Sequence, residues 1–206
     1  MPPDDDMTPY YADDLVTIYH GDCREWMPEA DVVVTDPPYG IDFAGQPTKW
    51  QRLAGQKPER WDHKRFGDIG LIVDAAPFVC IWGGNYYDLP PSRGWMAWTK
   101  PDAPPSMGSV EFAWTNLNQN ARHISYSIGA TNAERVGHPT QKPLAVMRWC
   151  LAGMPKGTVL DPFAGSGTTL VAAKSLGRRS IGIEIEERYC EIAAQRCSQE
   201  VLGLVG

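Results

Sequence analysis

Residues 35–40, TDPPYG, place an acid, two prolines and an aromatic ring on one turn directly after the apolar run 32–34. Proline cannot continue a strand ladder and it presets the turn, so the groups around it are held rigidly. Asp36 supplies one hydrogen-bond acceptor, the Pro37 carbonyl can supply a second, and Tyr39 supplies a flat ring. Two acceptors that converge over an aromatic ring suit a planar base bearing an NH2 group. The simpler interpretation is a turn that only ends a strand.

Such a turn could activate the exocyclic amine of a base. That nitrogen is a poor nucleophile because its lone pair is delocalised into the ring. Two acceptors, one for each N–H, favour a pyramidal nitrogen whose lone pair can attack an electrophile. This is catalysis by positioning and electrostatics, and it requires no metal. Stacking on Tyr39 would hold the base with about 1–3 kcal/mol, and the base must be unpaired or flipped out of a duplex.

A second candidate site is the glycine-rich turn within residues 159–177, VLDPFAGSGTTLVAAKSLG, which is typical of a buried strand, a turn and a helix. Gly165 and Gly167 allow a ligand to approach the backbone, and the helix N-terminus favours an anionic group. Neither GxxxxGK[ST] nor GxGxxG is present, which disfavours ATP hydrolysis and nicotinamide binding. Glu184 ends the next predicted strand, where an acid binds ribose hydroxyls in nucleotide-binding sheets. The pattern predicts an adenosine-type cofactor without a triphosphate; a tight turn with a solvated acid is the alternative.

The chain alternates short β-branched runs with helical patterns, which predicts an α/β fold with a mostly parallel sheet covered by helices. Seven strands fit one sheet, and the strands at 95–100 and 110–116 are typical of an antiparallel hairpin. Weak periodicity and turn residues predict loops at 84–93, 40–66 and 117–139. The predicted strands are 15–20, 31–36, 78–83, 95–100, 110–116, 157–161 and 179–184, and the predicted helices are about 67–76, 140–153, 167–177 and 186–200.

The length of 206 residues fits one domain with a sizeable core. We expect residues 1–14 to form a flexible acidic tail and residues 15–206 to form a single domain. No stretch approaches the roughly 20 apolar residues of a membrane span, and the acidic, proline-rich N-terminus is unlike a signal peptide, so we expect a cytoplasmic protein without a membrane partner. The five cysteines are scattered, which predicts buried thiols rather than a disulfide or metal framework.

The net charge of −6 argues against binding of nucleic acid through overall basicity. Residues 47–65 are an exception, with six Lys or Arg against two acids and with Trp50 and Trp61 interleaved. Such a segment can bind phosphates and bases, and a solvated loop is an equal alternative. The candidate DNA-contacting cations are Lys49, Arg52, Lys57, Arg60, Lys64 and Arg65.

Together these motifs resemble those of the S-adenosylmethionine-dependent DNA amino-methyltransferases. TDPPYG resembles their catalytic motif and DPFAGSGTT (161–169) their cofactor loop, while HGDC (20–23), HPTQKP (138–143) and GIE (182–184) match three further motifs. The catalytic motif precedes the cofactor loop, which is the permuted order of the β group in this family. The resemblance spans about residues 15–200 and implies a Rossmann-like, class I methyltransferase fold.

The resemblance also implies a role for each motif residue. Asp36 and the Pro37 carbonyl would accept hydrogen bonds from the target amine, Pro38 would keep the turn rigid, and Tyr39 would stack on the base. No metal is implied. The residues implied to bind S-adenosylmethionine are Asp22 and Cys23 near the adenine, Glu184 at the ribose, Asp161, Phe163, Gly165, Gly167, Thr168 and Thr169 around the methionine half, and Thr140 and Lys142 over its carboxylate.

In this family an acid before the two prolines goes mostly with adenine N6, and a serine mostly with cytosine N4. We therefore expect methylation of adenine N6 in DNA and retain cytosine N4 as the alternative. An RNA or protein-glutamine methyltransferase and an inactive remnant that binds cofactor or DNA are further alternatives. Family members usually carry a sizeable recognition region where this chain has only the short segment 117–137. Target recognition must then come from this segment, from the DNA-contacting loop 41–66 or from a second subunit, which predicts a short or relaxed target site. We expect a prokaryotic or phage-encoded protein, since its compact size suits a phage or mobile-element enzyme, and a homodimer and an accompanying restriction nuclease stay open.

Overall fold

The computed structural model describes residues 8–40, 64–105, 107–133 and 141–199. In these residues nine strands form one mixed sheet: β1 Tyr11–Ala12, β2 Val16–His20, β3 Val32–Thr35, β4 Phe78–Trp82, β5 Gly94–Thr99, β6 Val110–Thr115, β7 Arg122–Ser125, β8 Val159–Asp161 and β9 Ser180–Glu184. The α-helices are α1 Ile69–Asp74, α2 Ile128–Ala133, α3 Leu144–Ala152, α4 Thr168–Ser175 and α5 Glu187–Ser198, and Gly84–Tyr86 forms a 3-10 turn.

The order of the strands determines where a ligand can bind. Across the sheet they follow β1-β2-β9-β8-β3-β4-β6-β5-β7, and the strands from β2 to β4 in that order are parallel. Their carboxyl ends therefore lie at one edge. The chain leaves β3 through α1 toward β4 on one side, and it leaves β8 through α4 toward β9 on the other. Ligands bind in α/β sheets at such a reversal, so the crevice beyond β3 and β8 is the expected site.

The side chains of β3 show why helices cover both faces of the sheet. Val32 and Val34 share a core cluster with Val146 of α3, whereas Val33 shares the opposite cluster with Ile72 of α1. Successive side chains of a strand point to opposite faces. A run of three valines is therefore buried on both sides, as expected for a central parallel strand.

The predicted α/β fold is confirmed, with helices on both faces and a mixed sheet. The predicted hairpin is present, because β5 and β6 pair antiparallel from Gly94 opposite Thr115 to Thr99 opposite Val110. All four predicted helices are present, with each end within four residues of its predicted position. The largest difference is in α3, which begins after Pro143 rather than at residue 140.

The sheet has two strands more than the seven predicted, and the prediction of a loop over residues 117–139 was wrong for its described part. That part contains β7 and α2. β7 pairs parallel with β5 at the edge of the sheet, with Met96 opposite Arg122. Its sequence, RHIS, carries one apolar residue and is mostly exposed. An edge strand of this kind is set by backbone pairing and leaves no hydrophobic pattern in the sequence.

The predicted tail of residues 1–14 was wrong for residues 11–14. Tyr11 pairs with Ile18 in an antiparallel ladder between β1 and β2. Asp13 accepts hydrogen bonds from the amide of Leu15 at 2.9 Å and from that of Val16 at 2.8 Å. Its other oxygen lies 2.5 Å from the ammonium of Lys174. Asp13 therefore anchors the chain to the sheet, whereas composition alone indicated a solvated tail.

Two further features follow from the described ranges. None of the helices there is both long enough and apolar enough to span a lipid bilayer. All five cysteines are buried, as predicted. The sulfur atoms of Cys80 and Cys150 lie 3.5 Å apart between β4 and α3.

Candidate active site

A cavity of about 450 Å3 opens at the carboxyl edge of the parallel strands. Its wall is formed by the residues that directly follow β2, β3, β8 and β9, by residues 64–67, and by the chain that leads into α3. The proline-rich and glycine-rich turns thus face one space. The predicted site residues in this wall are Asp22, Cys23, Asp36, Pro38, Lys64, Arg65, Lys142, Asp161, Phe163, Gly165, Thr168, Thr169 and Glu184.

Other predicted residues do not line the cavity. Pro37, Tyr39 and Gly167 belong to the same two turns but lie outside its wall. Thr140 and four of the six candidate DNA-contacting cations, Lys49, Arg52, Lys57 and Arg60, lie outside the described residues.

Asp36 directly follows β3 and receives a donor on each carboxylate oxygen. The Lys142 Nζ lies 2.6 Å from Oδ2, and the Tyr39 hydroxyl donates to Oδ1. Burial raises the pKa of Asp36, while the positive charge of Lys142 opposes that rise. Its side chain is still 24% exposed. Each carboxylate oxygen has a second lone pair, so Asp36 can accept a further hydrogen bond from a ligand.

Lys142 contacts the proline-rich turn through its ammonium group. Its Nζ lies 2.6 Å from Asp36 Oδ2, 3.1 Å from Glu111 Oε2 and 3.1 Å from the Tyr39 hydroxyl oxygen. Burial alone would lower the pKa of Lys142, but the two carboxylates outweigh it and the pKa is raised. The sequence predicted contact with the carboxylate of methionine instead. Because Lys142 also lines the cavity, that contact stays a prediction.

The two proline carbonyls of the turn have different environments. The carbonyl of Pro38 accepts hydrogen bonds from the Tyr87 hydroxyl at 2.7 Å and from the Phe66 amide at 3.1 Å. Within the described ranges nothing donates to the carbonyl of Pro37. Pro38 therefore anchors the turn, and the role of the Pro37 carbonyl as the second acceptor stays a prediction.

The ring of Tyr39 is already stacked on another aromatic ring. Its centroid lies 5.1 Å from that of Tyr86, with 20° between the planes, and Tyr86 is 43% exposed. Gly83 lies against the same ring: its φ is +67°, and a Cβ at this position would lie 2.0 Å from a Tyr39 ring carbon. Only glycine fits such an approach. Sequence reasoning missed Tyr86 because it lies in a short 3-10 turn without any periodic pattern.

The glycine-rich turn is tied to the strands beside it. Asp161 Oδ1 accepts hydrogen bonds from the Thr35 hydroxyl at 2.7 Å and from the Phe163 amide at 3.1 Å. Burial raises the pKa of Asp161 to about 6. Gly167 has a φ of +79°, and a Cβ there would lie 2.8 Å from the Cβ of Ala193. The turn therefore packs closely on α5, and Asp161 ties it to β3 through Thr35.

Glu184 ends β9 with both carboxylate oxygens engaged by backbone groups. Oε2 accepts from the Gly165 amide at 2.7 Å, and Oε1 accepts from the Glu186 amide at 2.8 Å. Burial raises the pKa of this carboxyl group. Glu184 thus fixes the glycine-rich turn and keeps lone pairs for hydroxyl donors, since each oxygen can accept twice.

Arg196 of α5 supports the same turn from behind, and sequence reasoning missed it. Its Nη1 donates to the Ser166 carbonyl at 2.6 Å and to the Thr168 hydroxyl at 3.0 Å. The sequence could not show this contact, because Arg196 lies among other charged residues on a half-exposed helix.

We expect Arg196→Met to weaken binding of S-adenosylmethionine about tenfold, because loss of hydrogen bonds to a charged donor costs roughly 1.5–3 kcal/mol and leaves the turn loose. The turnover rate at saturating cofactor should stay within about twofold, since Arg196 does not line the cavity. Titration calorimetry measures the affinity, and Arg179→Met, which changes an exposed arginine, is the matched control. Equal affinities for both variants would contradict this role.

The chain is similar to DNA methylases over most of its length. A family model for DNA methylases of the N6 and N4 type matches residues 81–195, which is more than half of the chain. The type II methyltransferase M.ScaI of Streptomyces caespitosus is 47% identical over 95% of this chain and 86% of that protein. The type II methyltransferase M2.LlaDCHI of Lactococcus lactis subsp. cremoris is 25% identical over 93% of this chain and 92% of that protein.

Solved structures share the fold at lower identity. M1.HpyAVI in complex with SAM superposes with a TM-score of 0.60 at 24% identity, over 89% of this chain and all of that one. The cytosine-N4-specific PvuII DNA methyltransferase also gives a TM-score of 0.60, at 18% identity, over 95% of this chain and 90% of that one. Both agree with the α/β architecture described above.

Proposed function

Because this chain belongs to the N6/N4 family of DNA methylases, which use S-adenosylmethionine, we propose that it methylates the exocyclic N6 amine of a flipped-out adenine in DNA. The alternative target within this family is the N4 amine of cytosine. The fold does not separate the two, since a cytosine-N4-specific enzyme shares it.

The observation that carries the proposal is the acid at position 36, in the cavity wall at the end of β3. The family pattern of an acid before two prolines goes mostly with adenine. Stacking on an aromatic ring tolerates every base, so Tyr39 does not separate adenine from cytosine and the acid at position 36 alone carries the choice.

The residues of the proline-rich turn would activate the amine by accepting its two N–H groups. We assign one N–H to Asp36 and the other to the Pro37 carbonyl, with Tyr39 holding the base by its ring. Pro38 keeps both acceptors in place through its hydrogen bonds with Tyr87 and Phe66. After transfer, the product amine would release a proton to Asp36 or to water. The acceleration comes from preorganised acceptors, and no metal takes part.

The other half of the cavity suits the cofactor chemically. We assign the ribose hydroxyls to the carboxylate of Glu184 and the adenine to the chain around Asp22, Cys23 and Ile185, since Ile185 is 58% exposed in the cavity wall. The methionine half would lie against Phe163, Gly165, Thr168 and Thr169, where the N-terminus of α4 favours a carboxylate. S-adenosylmethionine supplies a methyl group on a positively charged sulfur.

The base identity can be read from DNA modified in cells. Expression of the protein in a strain that lacks DNA methylation, followed by modification-sensitive sequencing, should reveal N6-methyladenine within one short sequence context. Expression of Asp36→Ala supplies the background. N4-methylcytosine in place of N6-methyladenine would select the alternative target.

We further propose that the target sequence is read by a small surface. Of the predicted recognition segment 117–137, residues 117–133 are described, and they form β7 and α2 against the hairpin. Asp102, between β5 and β6, accepts hydrogen bonds from the Ile128 and Gly129 amides at 2.7 and 2.9 Å. The alignment with M.ScaI runs over 260 residues, more than the 206 of this chain, so that relative carries residues that this chain lacks. A small recognition surface of this kind supports a short or relaxed target site.

Residues 47–65 are proposed to bind the DNA backbone. Of their cations, Lys64 and Arg65 are exposed and line the cavity. A fourfold variant in which Lys57, Arg60, Lys64 and Arg65 are all replaced by glutamine should bind DNA more weakly. If each cation contacts one phosphate, the slope of the logarithm of the DNA-binding constant against the logarithm of the salt concentration should become shallower by up to about 3.6. Fluorescence anisotropy at several salt concentrations measures the slope. Replacement of Lys156 and Arg179 with glutamine is the control. An unchanged slope in the fourfold variant would contradict the proposal and support the alternative, that the segment is a solvated loop.

A further inference from the structure

Four charged side chains lie in a row behind the proline-rich turn, and each contacts the next. Lys100, at the end of β5, pairs with Glu111 of β6. Glu111 Oε2 lies 3.1 Å from Lys142 Nζ, which in turn lies 2.6 Å from Asp36 Oδ2. Both lysine side chains are only 7% exposed. Three strands (β3, β5 and β6) and the chain that leads into α3 therefore supply one alternating set of charges, in which the lysines are buried and the carboxylates partly buried.

The set is electrically neutral, and this makes its burial tolerable. A buried charge is costly unless it is paired, and removal of one partner leaves an uncompensated ion. Each ammonium here also faces an aromatic ring, with Lys100 Nζ 4.6 Å from the Trp98 ring centroid and Lys142 Nζ 5.6 Å from that of Trp82. The mechanism assigned to the turn uses only Asp36 from this set, so the other three charges need an explanation.

The three protons of the Lys142 ammonium explain the arrangement. A lysine ammonium has three donors and no acceptor. Here one donor is directed to Asp36, one to Glu111 and one to the Tyr39 hydroxyl. Lys142 is thus shared between two carboxylates. Without Glu111, the full charge of Lys142 would rest on Asp36 and compete with a target amine for the same oxygen.

We propose that Glu111 is a positioning residue for methyl transfer, which holds part of the Lys142 ammonium away from Asp36 so that Asp36 can accept from the target amine. This role rests on the proposed function of Asp36. Lys100 holds Glu111 in turn. Lys142 keeps enough contact with Asp36 to favour the ionised carboxylate in a buried place, and Glu111 limits that contact.

The charged and titratable groups around Asp36 give the expected direction for a change at Glu111. Glu111 itself raises the pKa of Asp36, whereas Lys142 and Lys100 lower it. Removing the negative charge of Glu111 should therefore lower the pKa of Asp36, both directly and by freeing Lys142. The remaining groups that interact with Asp36 from neighbouring elements are Tyr39, Tyr87 and Asp161.

The test compares Glu111→Gln with the wild-type protein in steady-state methylation across pH. We expect kcat to fall about tenfold, the equivalent of one charge-assisted hydrogen bond, with the KM values for DNA and cofactor within about twofold. The acidic limb of kcat/KM should move to lower pH. A role limited to packing would leave that limb in place. Glu111→Gln leaves one buried cation without a partner, so this variant could fail to fold. The double variant Lys100→Met with Glu111→Gln keeps the set of charges neutral and serves for the same test in that case.

A second readout does not depend on activity. Carbon-13 NMR of the labelled aspartate carboxyl groups, assigned with Asp36→Asn, should show a lower pKa for Asp36 in both Glu111 variants than in the wild-type protein. Unchanged kcat and an unmoved acidic limb, or an Asp36 pKa that stays constant or rises, would overturn the proposal. If the wild-type protein methylated no base in DNA, the proposed function would fail, and the NMR titration would still decide whether Glu111 controls Asp36.

Discussion

Replacing Asp36 with alanine should lower the rate of methyl transfer by about a hundredfold to a thousandfold, the cost of removing one preorganised group from a transition state. The variant loses the acceptor for one N–H of the target amine. It also leaves Lys142 without the partner that lies 2.6 Å from its Nζ. Affinity for S-adenosylmethionine should stay within a few-fold, because the glycine-rich turn is held by Asp161, Glu184 and Arg196 instead. Single-turnover assays with calorimetry of cofactor binding separate the two effects.

Two further variants sharpen this prediction. Asp36→Asn retains one acceptor oxygen and should lose less activity than Asp36→Ala. Asp88→Ala removes an exposed acid from the loop after β4 and should retain full activity. Full activity in Asp36→Ala, with normal cofactor binding, would show that the amine is activated elsewhere.

Replacing Lys142 with methionine should reduce both activity and stability. Among the described residues, the change leaves Lys100 as the one cation beside the partly buried Asp36 and Glu111. Breaking a fully buried ion pair costs roughly 3–5 kcal/mol, so we expect a smaller loss of stability here. Lys142 lowers the pKa of Asp36 in the wild-type protein, so its loss should raise that pKa further. Activity should therefore fall most at acidic pH, where Asp36 becomes protonated and loses an acceptor.

The stability of the Lys142→Met variant should depend on pH with a defined sign. A carboxyl group whose pKa is raised on folding destabilises the folded state above that pKa, and protonation relieves the penalty. The deficit in the free energy of unfolding relative to the wild-type protein should be larger at pH 8 than at pH 5. Urea unfolding at the two pH values measures it, with the exposed Lys156→Met as control. A deficit that is equal at both pH values would contradict an uncompensated Asp36.

Sequence patterns predicted the parts of the site that depend on strand ends. Asp36, Asp161 and Glu184 each follow or end a β-branched run, and parallel strands bring such positions to one edge. Their meeting at one cavity could therefore be expected before any coordinates were known. The glycines of the glycine-rich turn were predictable for a related reason, because a left-handed backbone and close packing both require glycine.

The other features of the site and the fold depend on contacts that leave no pattern in the local sequence. Glu111 lies on the hairpin strand β6, whose mixture of polar and apolar residues is ordinary for a strand. Its pairing with Lys142 follows from the position of β6 beside β4. The sequence assigned Lys142 to a ligand carboxylate, since its motif shows the residue but not its partners. The short strands β1 and β7 were missed because edge pairing by the backbone needs no apolar residues.

The most direct test of the central claim is methyl transfer by the purified protein from labelled S-adenosylmethionine to unmethylated DNA, followed by digestion to nucleosides and chromatography. We expect the label in N6-methyladenine, and we expect the Asp36→Ala protein, which should still bind the cofactor, to incorporate it at least about a hundredfold more slowly. Label in N4-methylcytosine would contradict the assignment of the base. Absence of label from every DNA tested, with a folded protein that binds S-adenosylmethionine, would contradict the proposed activity itself.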